Sequence, residues 1–275
     1  MISPAQFRKT IWQYYKNNGR KLPWRISSGT AQSAYKILVS EFMLQQTQVL
    51  RVIPKYEAFL KSFPNPKALA NASKSDVLKL WSGLGYNRRA LYLHKSVQEI
   101  VENHKGIVPR DLEVLETLSG IGPYTARAIA AFAYDMKTVC IETNIRTVFI
   151  HFFFPDAKEK IADKDILQKI EETLPRKNFR EWYWALMDYG SYLKSIGANK
   201  NSLAKSHTVQ SKFKGSNREV RGAIMKELTK HHKISLSKVL GLPFKTEKII
   251  LNLNALEKEG FLIIDKKKQT VSIIS

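Results

Sequence analysis

Apolar positions recur at helical spacing through most of the first ~195 residues, and sustained strand alternation is absent there. Phe7, Ile11, Trp12, Tyr14 and Tyr15 predict a helix over 4–18, followed by the basic turn GRKLPWR. Ile37, Leu38, Phe42, Leu44 and Val49 predict a second helix over 34–50, with Pro54 close behind. Tyr56, Phe59, Leu60 and Phe63 mark a short helix stopped by PNP, and Val77, Leu78, Leu80 and Trp81 another stopped at Gly83. A longer helix is expected over 88–103. Others start near Asp111, Tyr124 and Asn144, and two more cover about 163–174 and 179–196. Short helices with short loops imply an all-α globule.

The pattern changes after Ile196. The stretch GANKNSLAKSHTVQSKFKGS is rich in lysine and has no acidic residue, so 198–216 reads as a basic linker. Beyond it, REVRGAIMKELTKH, ISLSKVLGL (with Ser235 ahead of its helix) and TEKIILNLNALEKEGFL predict three helices. FLIIDKKKQTVSIIS predicts a hairpin with a lysine-rich tip. The span 217–275 is therefore expected to form a small α+β, winged-helix-like domain, and the domains divide as 1–197, 198–216 and 217–275.

Composition narrows the partner. The 275 residues carry 45 Lys+Arg against 24 Asp+Glu, a net charge of +21, which points to a polyanion, with nucleic acid first. The basic residues run through the whole chain rather than along one amphipathic helix, which disfavours a membrane surface. The single cysteine, Cys140, excludes a disulfide framework, a four-cysteine zinc site and a cysteine-ligated iron–sulfur cluster. No apolar run reaches membrane-spanning length, and the N-terminus lacks an apolar signal core. The expected setting is intracellular, in the cytoplasm or nucleoid, and the expected state is a monomer.

The most informative segment is LSGIGPYTARAIAAFA, residues 118–133. Gly120 and Gly122 flank Ile121 in a tight turn, and a small-residue helix follows at once. Bare backbone N–H groups beside the positive end of a helix make a phosphate cradle with little sequence preference. This segment resembles the helix–hairpin–helix of the base-excision DNA glycosylases, the endonuclease III superfamily. LPWR (22–25), YKILVSEFMLQQTQV (35–49), LWSGLGYNRRALYLH (80–94), ETNIRTV (142–148) and ALMDYG (185–190) extend the likeness over roughly 5–195, in the order found in MutY-type adenine DNA glycosylases. The implied fold is mainly α: a helix–hairpin–helix glycosylase domain of two helical lobes with a cleft, plus the winged-helix-like tail.

The resemblance implies hydrolysis of the N-glycosidic bond of a base flipped out of double-stranded, mismatched or damaged DNA. It places Glu41 as the general acid that protonates adenine at N7 and helps activate water, a role that needs a pKa raised by burial. Glu142 falls where the family carries an aspartate and is expected to stabilise the cationic sugar, its extra methylene moving the carboxylate outward. Asn144 supports the same site and also fits a helix N-cap. Tyr124 stands where bifunctional relatives carry a Schiff-base lysine, so a monofunctional enzyme without β-lyase activity is expected. Trp24 and Arg25 match the pocket wall, and Asp188 an acceptor for the adenine amino group. Gln46 and Thr47 match residues that wedge at the lesion, and Tyr86 an aromatic that inserts into the stack. Gly120, Gly122 and Thr125 are expected on the phosphate. In relatives, hairpin carbonyls such as those of Leu118 and Ile121 hold Na+ or K+.

Two parts of the family plan are missing from this sequence. The four cysteines of the usual [4Fe–4S] cluster are replaced by 198–216, so no cofactor is expected to be required. Lys194 ahead of that stretch, and Lys200, Lys205, Lys212 and Lys214 within it, are expected to contact the DNA backbone instead. The tail is also too short for the Nudix-like domain that senses 8-oxoguanine. The leading expectation is removal of adenine opposite 8-oxoguanine or guanine. The alternatives are a thymine/uracil mismatch glycosylase and a non-catalytic DNA-binding protein on the same scaffold.

Overall fold

A computed structural model describes residues 2–26 and 29–274. In chain order the helices are α1 (Pro4–Asn18), α2 (Ala31–Leu44), α3 (Val49–Ser62), α4 (Pro66–Ala70), α5 (Lys74–Trp81), α6 (Arg88–His104) and α7 (Leu112–Thr117). Then come α8 (Pro123–Tyr134), α9 (Thr143–Phe153), α10 (Asp163–Thr173), α11 (Phe179–Ser195), α12 (Asn217–His231), α13 (Leu236–Leu240) and α14 (Thr246–Lys258). The strands are β1 (Lys233–Ser235), β2 (Leu262–Asp265) and β3 (Thr270–Ile273). Among the described residues no helix is long and apolar enough to cross a membrane.

The chain forms two compact units, Met1–Glu41 with Val108–Val209 and Phe42–Ile107 with Gln210–Ser275. The first is built on an aromatic cluster. Phe7 of α1 meets Phe149, Phe152 and Phe153 of α9 and Trp182 of α11 at ring-centroid distances of 5.0–5.8 Å, mostly edge-on. Gly190 lets α11 press onto the start of α9, where a Cβ would come within 2.3 Å of the Asn144 carbonyl oxygen.

The segment read as a linker is packed in its first half. Asn201 is buried, and Asn199 Oδ1 accepts from the Asn201 amide (3.1 Å) and from Thr147 Oγ1 of α9 (3.3 Å). The Lys205 amide donates to the Ile161 carbonyl at 2.8 Å. Two amide side chains, Asn201 buried and Asn199 exposed, do the anchoring, and lysine content carries no sign of it.

In the second unit, Phe59, Phe63 and Trp81 pack edge-on between α3 and α5. The tail adds α12–β1–α13–α14–β2–β3, with an antiparallel sheet in the order β1-β3-β2. This is the winged-helix-like pattern, with one strand more than the expected hairpin. It does not stand alone. Ser75 of α5 bonds His232 (2.9 Å), and Glu259 pairs with Arg88 of α6 (2.9 Å) and Arg221 of α12 (2.7 Å). The division into units therefore cuts across the boundaries 1–197, 198–216 and 217–275, because the tail packs with 42–107.

Two helix boundaries also differ. The helix expected over 34–50 stops at Leu44, Gln46 takes a left-handed φ of 53°, and a new helix starts at Val49 with Pro54 inside it.

Candidate active site

Glu41 lies near the end of α2 and is 9% exposed. Its carboxyl is pushed up to about 8, first by burial and then by the negative charge of Glu142. Tyr124, the second residue of α8, is raised well above the usual phenol range by burial, then by Glu41, Glu142, Cys140 and Tyr183. Glu41, Tyr124, Glu142 and the Cys140 thiol thus share one electrostatic neighbourhood inside the first unit. At neutral pH it holds a protonated carboxylic acid, a neutral phenol and a second carboxyl group. Burial likewise pushes the Cys140 thiol up to about 12, which leaves it inert as a nucleophile.

Glu142 is the N-cap of α9. Oε1 accepts the amides of Asn144 and Ile145, each at 2.8 Å, and Oε2 accepts Asn144 Nδ2 and Thr143 Oγ1, each at 3.1 Å. This corrects two expectations. Asn144 is not the cap but steadies it, and the extra methylene lets the carboxylate curl over its own helix terminus rather than project outward. Thr143 Oγ1 also accepts from Lys194 Nζ at 3.2 Å. The Lys194 amine is lowered by burial against the opposing pull of Glu142, so Lys194 belongs to this cluster. The sequence gives no local sign of this pairing, which spans 51 residues.

The turn before α8 has the expected shape, with two differences. Gly120 has φ +78° and requires glycine, whereas Gly122 has φ −95°, open to any residue, and serves as the N-cap. A Cβ on Gly122 would meet nothing within 4 Å, so its backbone is open to an approaching group. The Ile121 amide donates to the Leu118 carbonyl at 3.1 Å, which closes the turn. Thr125 is buried at 6% exposure, so its hydroxyl does not present itself on the surface as a phosphate ligand. What this turn offers an anion is backbone N–H and the positive end of α8.

Asp188 departs furthest from its expected role. It is 2% exposed, and both oxygens are taken. Oδ1 accepts Arg20 Nε and Arg25 Nη2 (both 2.6 Å), and Oδ2 accepts the Arg20 amide and Arg25 Nη1 (both 2.8 Å). Burial alone would raise this carboxyl, but the bonds and charges of Arg25 and Arg20 hold it below the usual range. Four filled acceptor positions leave no site for an adenine amino group. Arg25 also donates to the carbonyls of Arg20 and Trp184, so it pins the LPWR turn to α11. Trp24, beside it, is buried.

Gln46, Thr47 and Tyr86 belong to the second unit. Gln46 (φ 53°) and Tyr86 (φ 48°) are both non-glycine residues in the left-handed region, an uncommon and strained backbone. Arg89 of α6, 8% exposed, holds their two loops. Nη1 donates to the carbonyls of Phe42 (2.7 Å) and Met43 (3.0 Å), and Nη2 to Thr47 Oγ1 and the Gly85 carbonyl, both at 3.0 Å. Burial lowers this guanidinium to about 10. Nothing local in NRRA separates buried Arg89 from exposed Arg88, because the carbonyl of Phe42 that holds Arg89 lies 47 residues away.

These features agree with the comparisons. The model of the HhH-GPD superfamily of base excision DNA repair proteins matches residues 39–176. The adenine DNA glycosylase of Mycolicibacterium smegmatis is 34% identical over 242 residues, covering 82% of this chain and 79% of that protein. The chain belongs to the HhH-GPD superfamily and, within it, to the adenine DNA glycosylase family. The adenine DNA glycosylase of Mycobacterium tuberculosis (strain CDC 1551 / Oshkosh) is 40% identical over 185 residues. That match covers 65% of this chain and spans 58% of the relative's length. A solved thermostable thymine-DNA glycosylase superposes with a TM-score of 0.61 at 26% identity, over 68% of this chain and 86% of that one.

A cysteine-ligated [4Fe–4S] cluster takes four thiolates, and this sequence has one cysteine. Its one cysteine, Cys140, is buried with its amide on Tyr183 Oη, and the segment in the cluster's place supplies asparagine, serine, histidine and lysine. Asn199 and Asn201 there are engaged in holding the loop to α9.

Proposed function

We propose that this chain is a monofunctional DNA glycosylase that hydrolyses adenine from double-stranded DNA where adenine is mispaired with 8-oxoguanine or guanine. The observation that carries the reading is Glu41: a buried carboxylic acid, raised to about 8, beside a second carboxyl group anchored on a helix N-terminus. That pairing suits the two demands of the reaction, a proton for the leaving base and negative charge near the sugar.

In this reading the Glu41 carboxyl gives its proton to adenine N7. The C1′–N9 bond breaks, its electron pair leaves with the base, and an oxocarbenium-like sugar remains. The Glu142 carboxylate stabilises that cation. The Glu41 carboxylate then takes a proton from the water that attacks C1′, and the sugar becomes an abasic site. Tyr124 is a neutral phenol that cannot form an imine, so the strand stays intact. The Gly120–Gly122 turn grips a phosphate through backbone amides. Neither a cluster nor another cofactor takes part, and the carbonyls of Leu118 and Ile121 are where a Na+ or K+ ion would sit beside that phosphate.

The test is base release from duplexes carrying A opposite 8-oxoguanine, A opposite G, T opposite G and U opposite G. Adenine release from the first two, without a borohydride-trapped imine, supports the reading. Release of thymine or uracil instead overturns the substrate, and no release from any duplex overturns the enzyme.

A further inference from the structure

The loops of Gln46 and Tyr86 meet a third segment, 210–218, which overlaps the basic stretch 198–216. Gln210 Nε2 donates to Tyr86 Oη and lies 3.5 Å from Gln46 Oε1. Arg218, at the start of α12, donates from Nη1 to the same Tyr86 oxygen at 3.2 Å, and from Nη2 to the Ser211 carbonyl at 2.5 Å. Its guanidinium lies 5.9 Å from the ring of Phe213, which is 59% exposed. Two donors from one arc of chain therefore converge on the phenol oxygen of a strained, exposed aromatic, and Arg89 holds that residue's loop from beneath.

We propose that Gln210 and Arg218 complete the wedge with Gln46 and Tyr86, and that they select the base opposite the one excised in favour of a 6-carbonyl purine. This rests on the reading of Gln46 and Tyr86 as the wedge of a DNA glycosylase. The chemistry follows from the groups present. A guanidinium fork matches the adjacent O6 and N7 acceptors of a guanine, and a carboxamide, with a donor and an acceptor side by side, matches O6 and the N7–H of 8-oxoguanine. A purely structural brace needs neither, since Arg89 already fixes both loops. Arg218 is half-buried and Gln210 exposed, so both side chains are accessible from solvent, with Arg218 Nη2 also 3.4 Å from Ser211 Oγ. Tyr86 Oη is the switchable partner: it holds both side chains in place until a base edge takes over their hydrogen bonds.

The test uses the full chain with Gln210→Ala, Arg218→Ala and Arg218→Lys. Single-turnover adenine release is measured opposite 8-oxoguanine, G and C. The purine-over-C preference should fall roughly tenfold in both alanine variants, the low end of what one bidentate base contact supplies. Arg218→Lys should fall between, because a point charge lacks the fork. An unchanged preference, with or without a uniform drop in rate, overturns the inference. A parallel arm measures affinity for duplexes with an uncleavable abasic analogue opposite G or C. If the unaltered protein releases no base, the enzymatic reading has failed. Loss of the G-over-C binding difference in the variants still supports the inference, and its persistence overturns it.

Discussion

Glu41 and Asp188 show how far neighbours decide what a carboxylate does. Both are almost fully buried. Asp188 receives four donors and is held ionised, whereas Glu41 is held protonated, first by burial and then by the like charge of Glu142. The consequence for stability has a definite sign. The folded pKa of Glu41, about 8, lies above its unfolded value of 4.5. Whatever stability the protonated form confers is complete below pH 4.5 and is lost as pH rises through 8. Glu41→Gln keeps the shape and never ionises. It should therefore be more stable than the native chain, by up to about 5 kcal/mol at pH 8 and above, since one pKa unit is worth about 1.4 kcal/mol and the rise from 4.5 to about 8 sets the upper bound. The gap should close toward pH 4.5. Denaturant unfolding across that range checks it, and a pH-independent difference would contradict the assignment.

At the scale of elements, the site depends on how closely α11 approaches α9. Gly190→Ala puts a methyl 2.3 Å from the Asn144 carbonyl oxygen, against backbone that cannot yield without shifting the N-terminus Glu142 caps. The expected cost is about 1–3 kcal/mol, with a fall in activity larger than partial unfolding explains, because catalysis is sensitive to sub-ångström placement. Thermal unfolding and single-turnover rates on the same samples test this. Most helices were legible because their apolar faces repeat every 3.6 residues, and the glycine turn was legible because Gly120 has a backbone only glycine favours. The break at Leu44 was not. No glycine or proline stands at 45–48, and the cause is Arg89, more than 40 residues away, taking the carbonyls of Phe42 and Met43. The same limit hid the Asp188 clamp, whose partner Arg20 lies 168 residues away, and the Glu142 cap, where local likeness pointed to Asn144 instead.

At the scale of the whole molecule, the charge of +21 sets the mode of association. A protein that neutralises roughly five phosphates loses affinity with a log–log salt slope of about −4 to −5, largely independent of sequence. Titrations of mismatched and fully paired duplexes between about 50 and 200 mM salt should give parallel slopes offset by the specific term. A slope near zero would remove DNA backbone contact from the account. The arrangement of the second unit adds a reason for the tail to matter: 217–275 packs with 42–107 through Ser75–His232 and Arg88–Glu259, so it supports the loops of Gln46 and Tyr86 rather than trailing from them.

The account turns on proton donation by Glu41, and the most direct measurement is single-turnover adenine release by the native chain and by Glu41→Gln as a function of pH. The native rate should hold below neutrality and fall as pH passes about 8, and the variant should be slower by roughly 10²–10⁴ with no such inflection. A Glu41→Gln protein that releases adenine at the native rate would contradict the account.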